Sequence, residues 1–222
     1  IINEDGSAMD ATAAEAVRNS GSIVPSKVSA NRQNGFSIVQ FNGINSTGTL
    51  PHGLSEEPEL VIFKKTSATS NWIVHRNGDP ARKFLYLNNT NGLSDAGADM
   101  VTNYSNSVLS LGTDGDVNPS DGASMIAYCW HSVAGYSAFS SYTANGSATD
   151  GPFIYTGFKP ALIWIKCTSD STITHTSWSI YDNAREPNNE MNKPLYANQS
   201  APEGERGNGT TDATDIKIDF LS

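Results

Sequence analysis

Short apolar runs separated by turn residues dominate the chain from Gly35 onward. Residues 36–41 alternate apolar and polar side chains, a pattern typical of a strand with one buried face. Residues 60–63 are continuously apolar, which predicts a strand buried on both faces. Further apolar runs predict strands at residues 72–75, 84–87, 125–130 and 162–167.

Turn-forming dipeptides separate these runs. Asn-Gly and Asp-Gly pairs tolerate positive φ angles and close tight turns. They stand at residues 42–43, 77–78, 91–92, 114–115, 121–122 and 145–146. Strands about every ten residues with turns between them predict an all-β fold of antiparallel β-sandwich or jelly-roll-like units.

The first 33 residues differ from the rest of the chain. Residues 11–18 are Ala-rich and could form about two helical turns, a length that is marginal for an isolated helix. We interpret residues 1–33 as an N-terminal arm or linker with a short strand at residues 22–24. Since the chain opens with Ile-Ile-Asn rather than Met, we expect an internal piece of a longer protein.

An internal repeat is the most informative feature of the sequence. The offset between its two copies grows from 100 at Gly35 and Gly135 to 110 at Tyr86 and Tyr196. Small insertions in loops explain this growth, because a strand that gains one residue turns its side chains to the other face. The matched segments are 35–37 with 135–137, 58–64 with 160–166, 72–74 with 178–180, and 83–88 with 193–198.

The repeat predicts a first β unit at residues 34–133 and a second, incomplete one at residues 134–222. Residues 108–110 correspond to residues 220–222, so the second copy ends before any counterpart of the strand at 125–130. Its sheet is therefore expected to lack a strand and to present a bare edge. Either the natural chain continues, or the N-terminal arm or a neighbouring subunit covers that edge.

Composition and charge narrow the class of protein. Hydrophobic residues make up 37% and charged residues 17%, both low for a globular enzyme, and Asn, Ser, Thr and Gly fill the difference. A net charge of −9 with scattered basic residues argues against nucleic acid as a partner. No stretch reaches the ~18 apolar residues of a membrane helix, so we expect no membrane insertion.

The two cysteines, Cys129 and Cys167, do not form a disulfide framework. Each lies in or at the end of a predicted strand. We interpret both as small hydrophobic residues and consider a bridge between them the less favoured alternative.

Several motifs carry a resemblance to a known family. They occupy residues 34–39, 52–54, 126–131, 135–137, 146–147, 150–153, 155–160, 182–185 and 218–222. In order and spacing these motifs resemble an uncharacterised repeat domain of marine tailed-phage tail and fibre proteins, which is found with laminin-G-like domains. The resemblance covers about residues 22–222 and implies a structural role in a phage. It transfers no functional residues, and none of its motifs is a catalytic signature.

Candidate catalytic residues are few. The histidines are His52, His75, His131 and His175, and no Gly-x-Ser-x-Gly elbow accompanies them. A pair of carboxylates could cleave a glycoside, but acidic residues are expected in turns in any case. The available carboxylates are Asp114, Asp116, Asp121, Glu186 and Glu190. We therefore predict no catalytic residues and no enzyme activity.

Residues 113–118 resemble the start of a calcium-binding loop. Their oxygen-bearing side chains have the required spacing. However, Pro119 stands where such a loop needs Gly, and Met125 stands where it needs a bidentate Glu. An Asx-rich hairpin turn is the better interpretation, and we predict neither a metal site nor a cofactor.

Four aromatic residues recur at matched positions of the two copies: Trp72 with Trp178, and Tyr86 with Tyr196. We favour the interpretation that they fill equivalent cores. The alternative is that some of them form a platform on which a sugar stacks, which an exposed ring beside Asn or Asp would support.

Together these observations predict a non-catalytic structural component of a phage virion, in the tail or a tail fibre, assembled in the host cytoplasm. Its expected partners are other virion subunits, further copies of itself and a host cell-surface glycan, with binding residues unknown. The alternative is a carbohydrate-binding module of a secreted bacterial protein. A hydrolase or depolymerase is the weakest hypothesis.

Overall fold

A computed structural model describes residues 2–4, 7–8, 11–120, 122–147, 150–169, 177–188, 191 and 193–203. The chain divides into two compact units. Unit 1 comprises Ile1–Tyr86 and Leu93–Val133, and unit 2 comprises Leu87–Gly92 and Ala134–Ser222.

The chain is almost entirely β, in antiparallel sheets, as the sequence predicts. Helix α1 (Ala11–Arg18) confirms the predicted helical turns. The strands of unit 1 are β1 (Ile2–Glu4), β2 (Ser7–Ala8), β3 (Lys27–Asn31), β4 (Phe36–Asn42), β5 (Gly48–Pro51), β6 (Leu60–Lys65), β7 (Trp72–Arg76), β8 (Lys83–Tyr86), β9 (Ser94–Asp95), β10 (Val101–Tyr104), β11 (Val108–Leu111) and β12 (Ser124–Trp130). Those of unit 2 are β13 (Leu162–Ile165), β14 (Ser179–Asp182) and β15 (Leu195–Tyr196).

The large sheet of unit 1 has the order β2-β1-β3-β4-β12-β6-β7-β8-β9. Its neighbours are antiparallel except β1 and β3, which run parallel. β12 lies at the centre of the sheet and pairs along its length with both β4 and β6. Alternate residues of β12 are buried, which follows from the two-residue period of a strand.

A small sheet, β10-β11-β5, packs over one face of the large sheet and completes a sandwich. The core between the two sheets contains side chains from both. Phe41 and Phe63 come from the large sheet, and Leu50 and Leu109 from the small one, all with no exposed surface. Burying a side chain of this size stabilises the fold by about 1.5–3 kcal/mol.

The predicted strand at residues 22–24 is wrong. These residues form a bend, and the strand begins instead at Lys27, because Pro25 has no N–H to give to a ladder. The bend is nevertheless tied to β5: the N–H of Ile23 donates to the carbonyl of Thr49 at 2.9 Å, and Ile23 is buried. Ile23 and β3 thus contribute directly to the core and the sheet of unit 1.

Unit 2 contains a three-stranded antiparallel sheet, β13-β14-β15, beside a small core of Tyr181 and Met191. Between residues 134 and 161, the described part of unit 2 contains no strand longer than a single bridge at Ser137. The repeat over its full length therefore stays a prediction.

The three strands of unit 2 do, however, pair in the same registers as β6, β7 and β8 once the sequence offsets are applied. Between β6 and β7 the pairs are Leu60–Arg76, Val61–His75, Ile62–Val74 and Phe63–Ile73, and the corresponding pairs between β13 and β14 are, in the same order, Leu162–Asp182, Ile163–Tyr181, Trp164–Ile180 and Ile165–Ser179. Between β7 and β8 the pairs are Ile73–Tyr86 and Val74–Leu85, and the corresponding pairs between β14 and β15 are Ser179–Tyr196 and Ile180–Leu195.

Both cysteines are free thiols. Cys129 is fully buried on the core face of β12, and burial raises the pKa of its thiol to about 12. Cys167 follows β13 and is partly exposed. Among the described residues, no helix has the length and apolar character needed to cross a bilayer.

Candidate functional site

Four aromatic side chains form a row across the outer face of the large sheet in unit 1. We call Phe36, Trp130, Tyr128 and Trp72 the aromatic row; they come from β4, β12 and β7. In β12, the alternation that buries Met125 on the core side directs Tyr128 and Trp130 to the other face. All four rings are half-buried, so each keeps part of its surface accessible.

Neighbouring rings of the row lie with nearly parallel planes. The ring centroids of Phe36 and Trp130 are 4.9 Å apart with an angle of 28° between the planes. Tyr128 lies 6.2 Å from Trp130 at 21°, and Trp72 lies 6.2 Å from Tyr128 at 23°. Offset parallel contacts of this kind are favourable for aromatic pairs and hold the rings in a continuous series.

Polar groups border the aromatic row. The Nζ of Lys64 lies 5.6 Å from the ring centroid of Trp72, within the range of a cation–π contact. The same ammonium group donates to the backbone carbonyl of Ser70, and to the Ser70 hydroxyl at 3.2 Å. Gln40 donates from its side-chain amide to the Ser124 hydroxyl at 3.4 Å. Apolar rings bordered by a few oriented polar groups are the chemistry that ligand sites commonly use.

The aromatic residues predicted from the repeat have different environments. Trp72 belongs to the aromatic row, whereas Tyr86 packs edge-on against Phe84 at 4.8 Å beside the core. In unit 2, Trp178 is buried and lies 5.4 Å from the ring of Trp164. Tyr196 is half-buried on β15.

Sequence reasoning missed Phe36, Tyr128 and Trp130 as site residues. The available signal was the alternation of large aromatic and small residues along β12, which indicates that one face carries rings. The order β4-β12-β6, which sets β12 beside β4, could not be read from that alternation.

His52 has a structural role. It has no exposed surface, and its Nε2 donates to the backbone carbonyl of Ser105 at 3.0 Å while its Nδ1 accepts the N–H of Leu54 at 3.2 Å. Burial lowers the pKa of His52 to about 4, so the neutral ring joins the loop after β5 to the turn between β10 and β11.

The other described histidines are also buried. His75 hydrogen-bonds through Nδ1 to the hydroxyl of Tyr104 at 2.7 Å, and burial lowers the pKa of His75. His131 contacts the carbonyl of Ser132 through Nδ1 at 2.9 Å. His175 lies outside the described residues. These contacts join histidines to backbone carbonyls and a tyrosine, not to a serine or cysteine nucleophile.

The suspected calcium loop is a closed Asx turn. Asp114 accepts the N–H of Asp116 through Oδ1 at 2.9 Å and the N–H of Asn118 through its backbone carbonyl at 2.8 Å. Burial raises the pKa of Asp114, and the hydrogen bond from the Asp116 N–H opposes this only in part. In the part of the chain that the structure describes, no three His, Cys, Asp or Glu side chains are grouped to hold a metal ion.

Asn118 clamps this turn to the loop after β4. Its side-chain oxygen accepts the N–H of Ile44 at 2.8 Å, and its amide nitrogen donates to the carbonyls of Ser46 and Gly112, each at 2.8 Å. Asn118 has no exposed surface, and these bonds satisfy the polar atoms of its side chain.

Of the remaining candidate carboxylates, one lies within the described residues. Glu186 accepts the backbone N–H of Lys193 at 2.9 Å. Asp121 and Glu190 lie outside the described residues. Elsewhere in unit 1, residues 80–83 with Asp95 and Asp99 line an open cleft of about 350 Å³. In that cleft Asp95 lies 3.1 Å from Lys83 and 3.6 Å from Arg82, so opposite charges already neutralise each other.

Comparison with known proteins gives one finding. Residues 8–221 match the model of a protein family described as "Domain of unknown function (DUF7483)". The curated proteins and the solved structures yield no match.

Proposed function

Because the chain belongs to this family, whose description states no function, we propose a function from the residues and motifs of the chain. The protein is a non-catalytic structural component of a phage virion, in the tail or a tail fibre, and it contacts a host-surface glycan through the aromatic row. The aromatic row is the observation that carries the glycan-binding part of this proposal. The virion assignment draws on the motif resemblance described above.

The architecture of unit 1 suits an exposed structural protein. Nine strands joined in one sheet and covered by a second sheet leave few backbone groups for a protease to reach. The rings lie on regular strands and not on loops, so a ligand meets a rigid surface and little freedom is lost on binding.

A saccharide is the ligand class that fits this surface. Pyranose rings present flat faces of C–H groups that pack on aromatic rings, and their hydroxyls bond to amide, hydroxyl and ammonium groups. Trp72 offers the ring beside the Lys64 ammonium, so this end of the row combines both kinds of contact.

Glycan binding is tested by array screening followed by calorimetry with the best ligand. We expect Trp72→Ala to weaken binding about ten-fold or more, corresponding to about 1.4 kcal/mol. Trp72→Phe should retain part of the affinity because it keeps a ring. Val24→Ala is the matched control, since Val24 is an exposed apolar residue outside the row. Equal affinity in Trp72→Ala and Val24→Ala would remove the glycan role.

The virion assignment is tested by immunogold labelling of purified phage particles with an antibody raised against this chain. Label at the tail supports the proposal, and its absence from intact particles refutes it. We propose further that the protein assembles with copies of itself; light scattering tests this, and a stable monomer would contradict it.

A carbohydrate-binding module of a secreted bacterial protein is the second candidate, and the aromatic row favours it equally. The two candidates differ in location. Recovery of this protein from bacterial culture medium, together with a glycanase and absent from phage particles, would select the second.

A further inference from the structure

The sheet of unit 2 corresponds to part of the large sheet of unit 1 beyond its strand registers. In the loop after β7, the N–H of Asn77 donates to the carbonyl of Glu59 at 2.9 Å. At the equivalent point after β14, the N–H of Asn183 donates to the carbonyl of Ala161 at 3.0 Å. Strand registers and the adjoining loop bond therefore agree.

An ion pair at the same place supports this correspondence. In unit 1, Arg76 lies 2.8 Å from Asp79; in unit 2, Asp182 lies 2.6 Å from Arg185. The offset of 106 maps the first pair onto the second with the charges exchanged. The attraction is the same in either orientation, so the interaction is kept while its residues are swapped.

In unit 1, β12 covers the edge of β6 that faces away from β7. Six residue pairs join the two strands, from Met125 opposite Lys65 to Trp130 opposite Leu60. Under this cover Val61 and Phe63 have no exposed surface, and Ile62 is 4% exposed.

In unit 2, the equivalent edge belongs to β13. No strand within the described residues pairs with it. Its outward side chains are correspondingly open: Leu162 is 59% exposed, and Trp164, the counterpart of Ile62, is 36% exposed. Phe153 and Tyr155, which precede β13, are 72% and 82% exposed. An apolar edge that no described strand covers is typical of a binding surface.

The β12 strand of unit 1 cannot serve unit 2 as well. Both of its edges are already hydrogen-bonded, one to β4 and the other to β6. Residues 136–142 are the counterpart of β4, and in the described part of the chain they form no strand beyond the single bridge at Ser137.

We propose that β13 accepts an antiparallel strand of the β12 type, supplied by another copy of the repeat. The expected occupant has apolar side chains at successive positions, with small residues on the core face and aromatic residues on the outer face, as in Ala127–Trp130. The strand binds through backbone hydrogen bonds along β13 and buries Leu162 and Trp164. This inference does not depend on the virion assignment or on glycan binding.

A peptide with the sequence of residues 122–131 carrying Cys129→Ser is the probe, mixed with the intact chain and followed by hydrogen exchange. We expect the amides of residues 162–165 to exchange at least about ten-fold more slowly with peptide present. A peptide with Ala127→Pro, which breaks a central strand position, should give no protection. Protection by both peptides, or by neither at about 1 mM, would overturn the proposal.

Two lysine variants locate the binding edge. Leu162→Lys combined with Trp164→Lys places charges on the β13 edge at positions that are already exposed, and it should abolish peptide protection. The matched control is Leu195→Lys on β15, the opposite edge strand, where the side chain is 37% exposed. Unchanged exchange in β14 verifies that each variant keeps its fold.

Two further outcomes would contradict the proposal. If the control variant loses binding as completely as the β13 variant, the peptide does not bind at the β13 edge. If the chain without peptide, at a dilution where light scattering shows a monomer, already protects residues 162–165 as strongly as residues 60–63, the edge is occupied by the chain itself.

Discussion

Replacing His52 should remove a defined part of the acid sensitivity of unit 1. The ring is buried and neutral, with both nitrogens bonded to the backbone. Its pKa falls from 6.5 to about 4 on folding. In the unfolded chain, His52 is therefore protonated below pH ~6.5, whereas in the folded chain it stays neutral until the pH falls to ~4. The stabilisation is complete above the higher value and disappears as the pH falls to the lower one.

The size of this effect follows from the two pKa values. The full difference corresponds to roughly 3 kcal/mol, and about 2 kcal/mol of it is lost between pH ~7.5 and pH ~5. His52→Gln keeps a donor at the position of Nε2 but cannot titrate. Groups that do not interact with His52 contribute equally to both proteins, so they cancel in the comparison; the electrostatic interaction of His52 with His131 is removed together with the His52 ring.

Urea denaturation of both proteins at the two pH values measures the difference. We expect the free energy of unfolding to fall by about 2 kcal/mol more in the wild-type chain than in His52→Gln. The absolute stability of the variant does not matter, because only the change with pH is compared. Parallel pH dependences in the two proteins would refute the structural role assigned to the neutral ring.

Three further predictions concern buried groups in unit 1. Asn118→Ala should destabilise unit 1 by about 3 kcal/mol in urea denaturation, because it leaves the N–H of Ile44 and the carbonyls of Ser46 and Gly112 without the hydrogen bonds that Asn118 makes to them. A loss of stability below about 1 kcal/mol would contradict this role of Asn118. Gly43→Ala should lower the stability of unit 1 by about 1–3 kcal/mol in thermal denaturation, since the added methyl group would clash with the backbone of Pro119. An unchanged melting temperature would show that the loop containing Pro119 moves to accommodate the methyl group. Cys129 should resist a thiol reagent in the folded chain while Cys167 reacts; two labels without denaturant would disprove the burial.

The sequence predicts the strands with strong local patterns. β4, β6, β7, β8, β12 and β13 each coincide with an apolar or alternating run. The small sheet is harder, because strands such as β5 and β10 are four residues long and carry polar side chains. Their role is fixed by packing against the large sheet, which no short window of sequence encodes.

The candidate site is less predictable than the fold. Trp72 stood out because it recurs in the repeat, yet its partner Tyr128 comes from a strand more than fifty residues away in the sequence. The row exists only because β12 inserts between β4 and β6, a long-range pairing that alternation does not specify. The hydrogen bonds of Asn118 could not be predicted from the sequence for the same reason, since they join it to Ile44 and Ser46, which lie more than seventy positions earlier in the chain.

The central place of β12 has a consequence for how the chain folds during synthesis. The middle of the sheet is the last strand of unit 1 to be translated, and Ser124 contacts Gln40, 84 residues earlier. Until Trp130 has left the ribosome, the edges of β4 and β6 that β12 will cover remain unpaired. Unpaired strand edges make the nascent chain prone to aggregation. Stalled chains ending before residue 124 should accordingly be digested by protease, whereas chains that expose residue 130 should resist.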